Sequence, residues 1–198
     1  MMLANQLRAA IGEYRQAEMI AGDSHVVGDT LNSVDVPAAV LIAITDRVIP
    51  GVILTRRAKT MRRHPGQAAF PGGCVDPQDS SMIAAALREA EEEIGLSRHI
   101  PDVIGSTDLY RTATTYAITP VIAVIPPDLP LVANPDEVAA IFEVPLNFLL
   151  DPVNHVAKIL ERNGQIRHFY ELNWEGHQIW GATAAMIVNL SRRLAWPL

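Results

Sequence analysis

The stretch Arg88-Glu89-Ala90-Glu91-Glu92-Glu93-Ile94-Gly95-Leu96 puts four carboxylates and one guanidinium within six residues. A helix advances about 100° per residue. On that geometry Ile83, Ala86, Leu87, Ala90 and Ile94 form an apolar stripe, and Glu89, Glu92 and Glu93 share a separate face. Glu91 points about 160° away from Glu89. Three crowded carboxylates repel one another, and a hard divalent cation with oxygen ligands removes that repulsion. In isolation such a run reads as a solvated acidic face with Arg88 as an ordinary ion-pair partner. Its surroundings favour chemistry. Phe70-Pro71-Gly72-Gly73 makes a tight turn upstream, and Arg56, Arg57, Lys59, Arg62, Arg63 and His64 form a basic cluster before it. Alone, that basic cluster reads as a solubilising loop or a general nucleic-acid patch, although arginine forks also suit phosphate oxygens.

Other reactive residues point nowhere else. Cys74 follows the glycine turn, but no histidine–acid pairing marks it as a nucleophile. The six histidines lack metal-ligand spacing and read as structural or surface residues. Trp180 is a candidate to stack on a base or, more ordinarily, to pack beneath a helix.

Elements that would position these residues can be read along the chain. Leu3, Leu7, Ala10, Ile11 and Tyr14 predict an amphipathic helix over residues 1–20, followed by a polar connector. Ala38 to Thr45 is a continuous apolar run, as in a buried strand, and Val48 to Leu54 reads as its hairpin partner. The acidic helix is expected from about Ser81 to Ile94, capped by Asp79, Ser80 or Ser81 and closed by Gly95. Further strands are expected at 103–109, 117–125, 137–144, 166–172 and 176–180, then a helix from Thr183 to Leu194. Strands and helices mix without a regular βαβ period, which predicts an α/β fold with a mixed sheet flanked by helices.

The 198 residues suit one domain with additional terminal elements, and 49% hydrophobic content excludes a disordered chain. A net charge of −6 argues against general binding to nucleic acid or an anionic membrane. The single cysteine fits a reducing compartment. Charges interrupt the N-terminal apolar residues, and no stretch reaches the length of a membrane span, so a cytoplasmic setting is expected.

Gly73 with Arg88-Glu89-Ala90-Glu91-Glu92-Glu93-Ile94-Gly95-Leu96 resembles the Nudix box. Asp79 stands where that box has Glu, and eight residues rather than seven separate it from Arg88. Both departures resemble the coenzyme A pyrophosphatase branch. So does Ile53-Leu54-Thr55-Arg56-Arg57-Ala58, followed by Arg62, Gly66 and Phe70-Pro71-Gly72-Gly73. The likeness spans about residues 36–195 and implies a Nudix domain over 36–198, behind a helix and connector at 1–35. The implied fold is an α/β/α sandwich around a mixed β-sheet. By position, the resemblance assigns metal binding and water activation to Glu89, Glu92 and Glu93, with the Gly73 carbonyl and Glu137 as further ligands and Asp136 second. Arg88 would orient the carboxylates. Arg56, Arg57, Arg62, Gly72 and Gly73 would bind substrate. The implied cofactor is Mg²⁺ or Mn²⁺, the implied substrate is CoA or acyl-CoA, and family habit makes a homodimer the expected oligomer. Alternatives are hydrolysis of another nucleoside diphosphate such as ADP-ribose or NADH, and a non-catalytic nucleotide-sensing module.

Overall fold

The computed structural model describes residues 2–12, 20, 35–61, 63–112, 116–162 and 165–194. Two long apolar strands, β1 (Val36–Thr45) and β7 (Tyr116–Ile125), pair in parallel along all ten residues. Their near-continuous apolar character follows from burial on both faces. Val40, Ile42 and Ile44 point to one side with Ile122 and Val124, while Ala39, Leu41 and Ala43 point to the other with Val121, Ala123 and Ile125.

Around this pair the sheet is antiparallel, hence mixed. β5 (Asp102–Ser106) and β6 (Tyr110–Arg111) flank β7. β2 (Gly51–Arg57) meets β1 at Ile44 and Val52, then pairs with β8 (Val138–Pro145) and with β3 (Ala68–Ala69). On β1, the edge nearer Ala38–Val40 pairs instead with β4 (Gly72–Cys74). Gly72 and Gly73, expected in a tight turn, are thus strand residues anchored beside the central strand.

Helix α2 (Met82–Ile94) lies on the alanine-rich face, where Ala85, Ala86, Ala90 and Ile94 are buried. The other face is covered by α1 (Met2–Gly12), α3 (Leu146–Leu150) and α4 (Ala182–Leu194), through Leu3, Leu7, Leu146, Leu149, Ile187 and Leu190 among others. The result is an α/β/α sandwich around a mixed sheet. A second antiparallel sheet, β9 (Val156–Arg162), β10 (Gln165–Trp174) and β11 (His177–Trp180), joins the α4 side through Leu172 and Ile179. None of the described helices is long and apolar enough to cross a membrane.

Several element boundaries differ from expectation. Of the helix expected over residues 1–20, α1 covers Met2–Gly12; the rest, and nearly all of the connector, lie outside the described residues, apart from Ile20. β2 begins at Gly51 rather than Val48. Val48 and Ile49 belong to an exposed turn, and Pro50 has no N–H to give a ladder. β2 then continues through Arg56 and Arg57, so these two arginines sit on a strand rather than a loop. β9 and α3 were not legible, because Val-Ala-Lys-Ile-Leu-Glu-Arg shows no period-2 alternation and its pairing is supplied by β10.

Candidate active site

Helix α2 is set by local signals. The Ser81 hydroxyl accepts the Ala84 N–H at 3.1 Å, capping the first turn. At the other end Gly95 takes a left-handed conformation with φ 66°. The exposed carbonyls of Glu93 and Ile94 accept the backbone N–H groups of Asn134 (2.9 Å) and Val132 (3.0 Å). The loop before β8 is thus fastened to the helix end, and it carries Glu137. That loop also reaches the basic segment, since Ala58 N–H donates to the Glu137 carbonyl at 2.7 Å.

Glu93 is the most buried acid here, at 3% exposure. Its carboxylate accepts the Gly72 N–H at 3.2 Å. Burial pushes its pKa up to about 7; the Gly72 N–H and the charge of Arg57 pull it down, while Glu89 and Glu137 push it up. Glu89 is raised for the same leading reason, burial, against the pull of Arg88, with Glu92 and Glu137 adding repulsion. Glu89, Glu93 and Glu137 therefore feel one another directly. Glu92 repels Glu89 but turns outward: its side chain is 55% exposed and its carboxylate accepts from Arg88 Nη1 at 3.0 Å. Glu91 faces away, where Arg98 binds it at 2.5 Å and holds its pKa down.

Gly72 and Gly73 are required by close approach. A Cβ on Gly73 would lie 2.7 Å from three atoms of the Glu89 carboxylate, and one on Gly72 would lie 2.3 Å from the Ala39 carbonyl. Only glycine lets β4 sit between β1 and the acidic face of α2.

Arg88 organises the rest. Its Nε donates to Asp79 at 3.1 Å and Nη2 to Asp79 at 2.9 Å and to the Cys74 carbonyl at 3.0 Å, while Nη1 reaches Glu89 and Glu92, each at 3.0 Å. Asp79 also accepts the Asp76 N–H at 2.8 Å. The Arg88 guanidinium holds the Asp79 pKa below the usual carboxylate range. A shorter acid with one more residue between it and Arg88 thus still makes a bidentate pair. Asp79→Asn is expected to cost about 2 kcal/mol, lowering Tm by about 4–8 °C. Thermal denaturation checks this; an unchanged Tm would mean that the pair contributes nothing.

The basic cluster divides. Strand alternation sends Arg56 and Arg57 to opposite faces of β2, with a register shift between them. Arg57 lies on the Glu93 side, and its Nε is buried without an acceptor. Arg56 turns toward β11 and touches His177. Arg63 donates to the Tyr116 hydroxyl and lies over its ring. Lys59 and His64 are exposed, and Arg62 lies outside the described residues. Cys74 is an exposed free thiol. Trp180, 36% exposed, packs edge-on to Phe169.

Among the described residues, no three acidic, histidine or cysteine side chains stand close enough together to hold an ion as they are. The donor chemistry nevertheless suits a hard divalent cation. The available groups are oxygens, one carboxylate is buried and destabilised by its neighbours, and Glu89 rests in a cradle that a Cβ on Gly73 would fill.

Comparisons with known proteins identify the family. The NUDIX domain profile matches residues 35–162. The chain is 46% identical over 158 residues to the uncharacterized Nudix hydrolase NudL of Cronobacter sakazakii, covering 79% of this chain and 82% of that protein. It is 43% identical over 157 residues to NudL of Photorhabdus laumondii, covering 79% and 84%. Among solved structures, the M. smegmatis Nudix hydrolase RenU superposes with a TM-score of 0.48 at 23% identity, covering 57% of this chain and 71% of that one. The chain belongs to the Nudix hydrolase family. Its reaction class is hydrolysis of pyrophosphate bonds, for which the family generally uses divalent metals.

Proposed function

We propose that the chain hydrolyses the pyrophosphate of coenzyme A or a CoA derivative, giving 3′,5′-ADP and (acyl-)4′-phosphopantetheine. The observation that carries this reading is the signature running from Ile53 to Gly73, with Arg57, Arg62, Gly66 and Phe70-Pro71-Gly72-Gly73 at the spacing of the CoA branch. Arg57 supports it physically. A buried Nε with no acceptor, beside an acidic site, is a ready donor for a phosphate oxygen.

Glu89, Glu93, Glu137 and the Gly73 carbonyl would hold Mg²⁺ or Mn²⁺, with Glu92 joining once released from Arg88. When bound, the cation neutralises phosphate charge and makes water a better nucleophile. Arg88 keeps Glu89 oriented from the side away from substrate. A carboxylate of the set accepts the proton that attacking water loses. Gly72 and Gly73 let backbone approach the phosphates, and Arg57 and Arg62 bind them. Water adds to one phosphorus and the bridging oxygen leaves on the other product, so no covalent enzyme intermediate is needed. In this reading residues 1–35 flank the hydrolase domain, and the setting is cytoplasmic.

The test is kcat/KM for CoA, dephospho-CoA, ADP-ribose and NADH with Mg²⁺ and with Mn²⁺, products read by mass. CoA is expected to be best. A contact to the 3′-phosphate is worth about tenfold or more over dephospho-CoA. Arg57→Ala should lower kcat/KM for CoA by about ten- to hundredfold. Faster turnover of ADP-ribose or NADH would replace the CoA reading with the other nucleoside diphosphates, and no turnover at all would favour nucleotide sensing.

A further inference from the structure

Arg56 is held from two sides. Its Nη1 donates to the Gly66 carbonyl at 3.1 Å, and its Nη2 lies 3.0 Å from His177 Nδ1. A guanidinium only donates, so Nδ1 must be the acceptor and the imidazole carries its proton on Nε2. The ring is not free to turn away. It stacks on Phe142 with centroids 4.0 Å apart and planes 27° apart. His177 also directly follows the two-residue turn Glu175-Gly176, whose φ values of 47° and 81° suit a tight hairpin that pairs Trp174 with His177. Phe142 in turn sits on β8 opposite Leu54 of β2, the strand that carries Arg56. One side chain therefore joins β2, the β10–β11 hairpin and the turn at Gly66.

That turn closes the basic segment. Gly66, at φ 72°, donates its N–H to the Arg57 carbonyl at 3.1 Å, and Gln67 N–H reaches the His64 carbonyl at 3.3 Å. Both bonds are local; Ala58 N–H on the Glu137 carbonyl and Arg63 on Tyr116 hold the segment elsewhere, and Arg56 adds a tie from its base to the separate β10–β11 hairpin. We propose that Arg56 and His177 form a latch that fixes the turn at His64–Gly66 over the site, acting as positioning residues; Arg56, counted by the resemblance among the substrate-binding residues, does not touch substrate in this reading. The inference rests on the reading that this segment faces the substrate phosphates. A segment already ordered costs less to immobilise on binding, so losing the latch raises KM and spares the chemical step.

The test compares three variants. His177→Phe keeps the stack on Phe142 and removes the acceptor; Arg56→Met keeps the stem and removes the donors; His177→Asn offers Oδ1 near the place of Nδ1. With whichever pyrophosphate substrate the protein turns over, His177→Phe and Arg56→Met should raise KM by about tenfold with kcat within about twofold, the loss expected for a hydrogen bond to a charged group. In protein without substrate, amide exchange at Gly66 and Gln67 should quicken by about tenfold or more in both. His177→Asn should return KM and exchange to within about threefold of wild type. Wild-type KM and exchange in His177→Phe would overturn the latch, and so would His177→Asn as impaired as His177→Phe. The exchange measurement needs no substrate, so it judges the latch even if the CoA assignment fails.

Discussion

Glu93→Gln is expected to lower kcat by about two to four orders of magnitude while making the metal-free protein more stable. The two effects have one cause. Glu93 is 3% exposed, with only the Gly72 N–H at 3.2 Å and the charge of Arg57 to offset burial and the repulsion of Glu89 and Glu137. Near pH 8 the folded chain must carry that charge against a pKa of about 7, compared with an ordinary 4.5. The difference corresponds to at most about 3 kcal/mol, or up to about 10 °C in Tm. Glutamine fills the same volume, can still accept from Gly72 and carries no charge. What it loses is the hard anionic oxygen that a divalent cation needs. Glu91→Gln is the control, because Glu91 is tied to Arg98 on the outer side of α2; its rate should stay within about twofold of wild type. Steady-state rates with Mg²⁺ and melting curves in chelator decide the matter. A Glu93→Gln protein that keeps its rate, or that melts lower without metal, would remove Glu93 from this role.

The burial of Glu93 is what the sequence conveyed least. Helical phasing groups it with Glu89 and Glu92, since spacings of three and four place side chains together. It does not say where the edge of the sheet falls. Residue 93 lies about one turn beyond Ala90 and two beyond Ala86, and those small side chains let α2 settle close to β1, which draws the Glu93 carboxylate inward beside Gly72. Glu92, a residue earlier, remains outside and turns to Arg88. The caps of α2, by contrast, were readable nearly to the residue, Gly95 outright and Ser81 as one of three candidates with Asp79 and Ser80, because both act through bonds to their own neighbours. The buried strand at 38–45 was legible from its continuous apolar run and the helix at 183–194 from the spacing of its apolar residues, whereas β9 depends on a partner distant in space. Arg56 and Arg57 illustrate a different loss. Read as a loop they form one basic patch; read as a strand they must part, and the period of two then predicts one arginine near the acids and one near the second sheet.

Metal-free protein should lose stability as pH rises from about 4.5 to about 7, and a divalent cation should restore it at about pH 8. Between those values the folded state keeps a proton on Glu93 that the unfolded chain has already released. Stability therefore falls wherever the folded state binds more protons, and the contribution present below pH 4.5 is lost once pH passes the folded pKa. Glu89, also raised by burial, works in the same direction. Asp79 works in the opposite one, since Arg88 lowers its pKa; its contribution is present above its ordinary value of 3.8 and lost only as pH falls below that. The window from about 4.5 to 7 thus belongs to the buried glutamates. A cation that binds only the folded, deprotonated site stabilises by mass action, about 2.7 kcal/mol at a hundred times its Kd, and its apparent affinity should strengthen as pH rises through 7. Melting curves in chelator across pH 4.5 to 8, repeated with Mg²⁺ or Mn²⁺ and in Glu93→Gln, test each link. The variant should flatten most of the pH slope and respond less to cation. A wild type whose metal-free Tm is constant or rising through this window would show that Glu93 is ionised without penalty, and the buried carboxylate would then have no need of the metal.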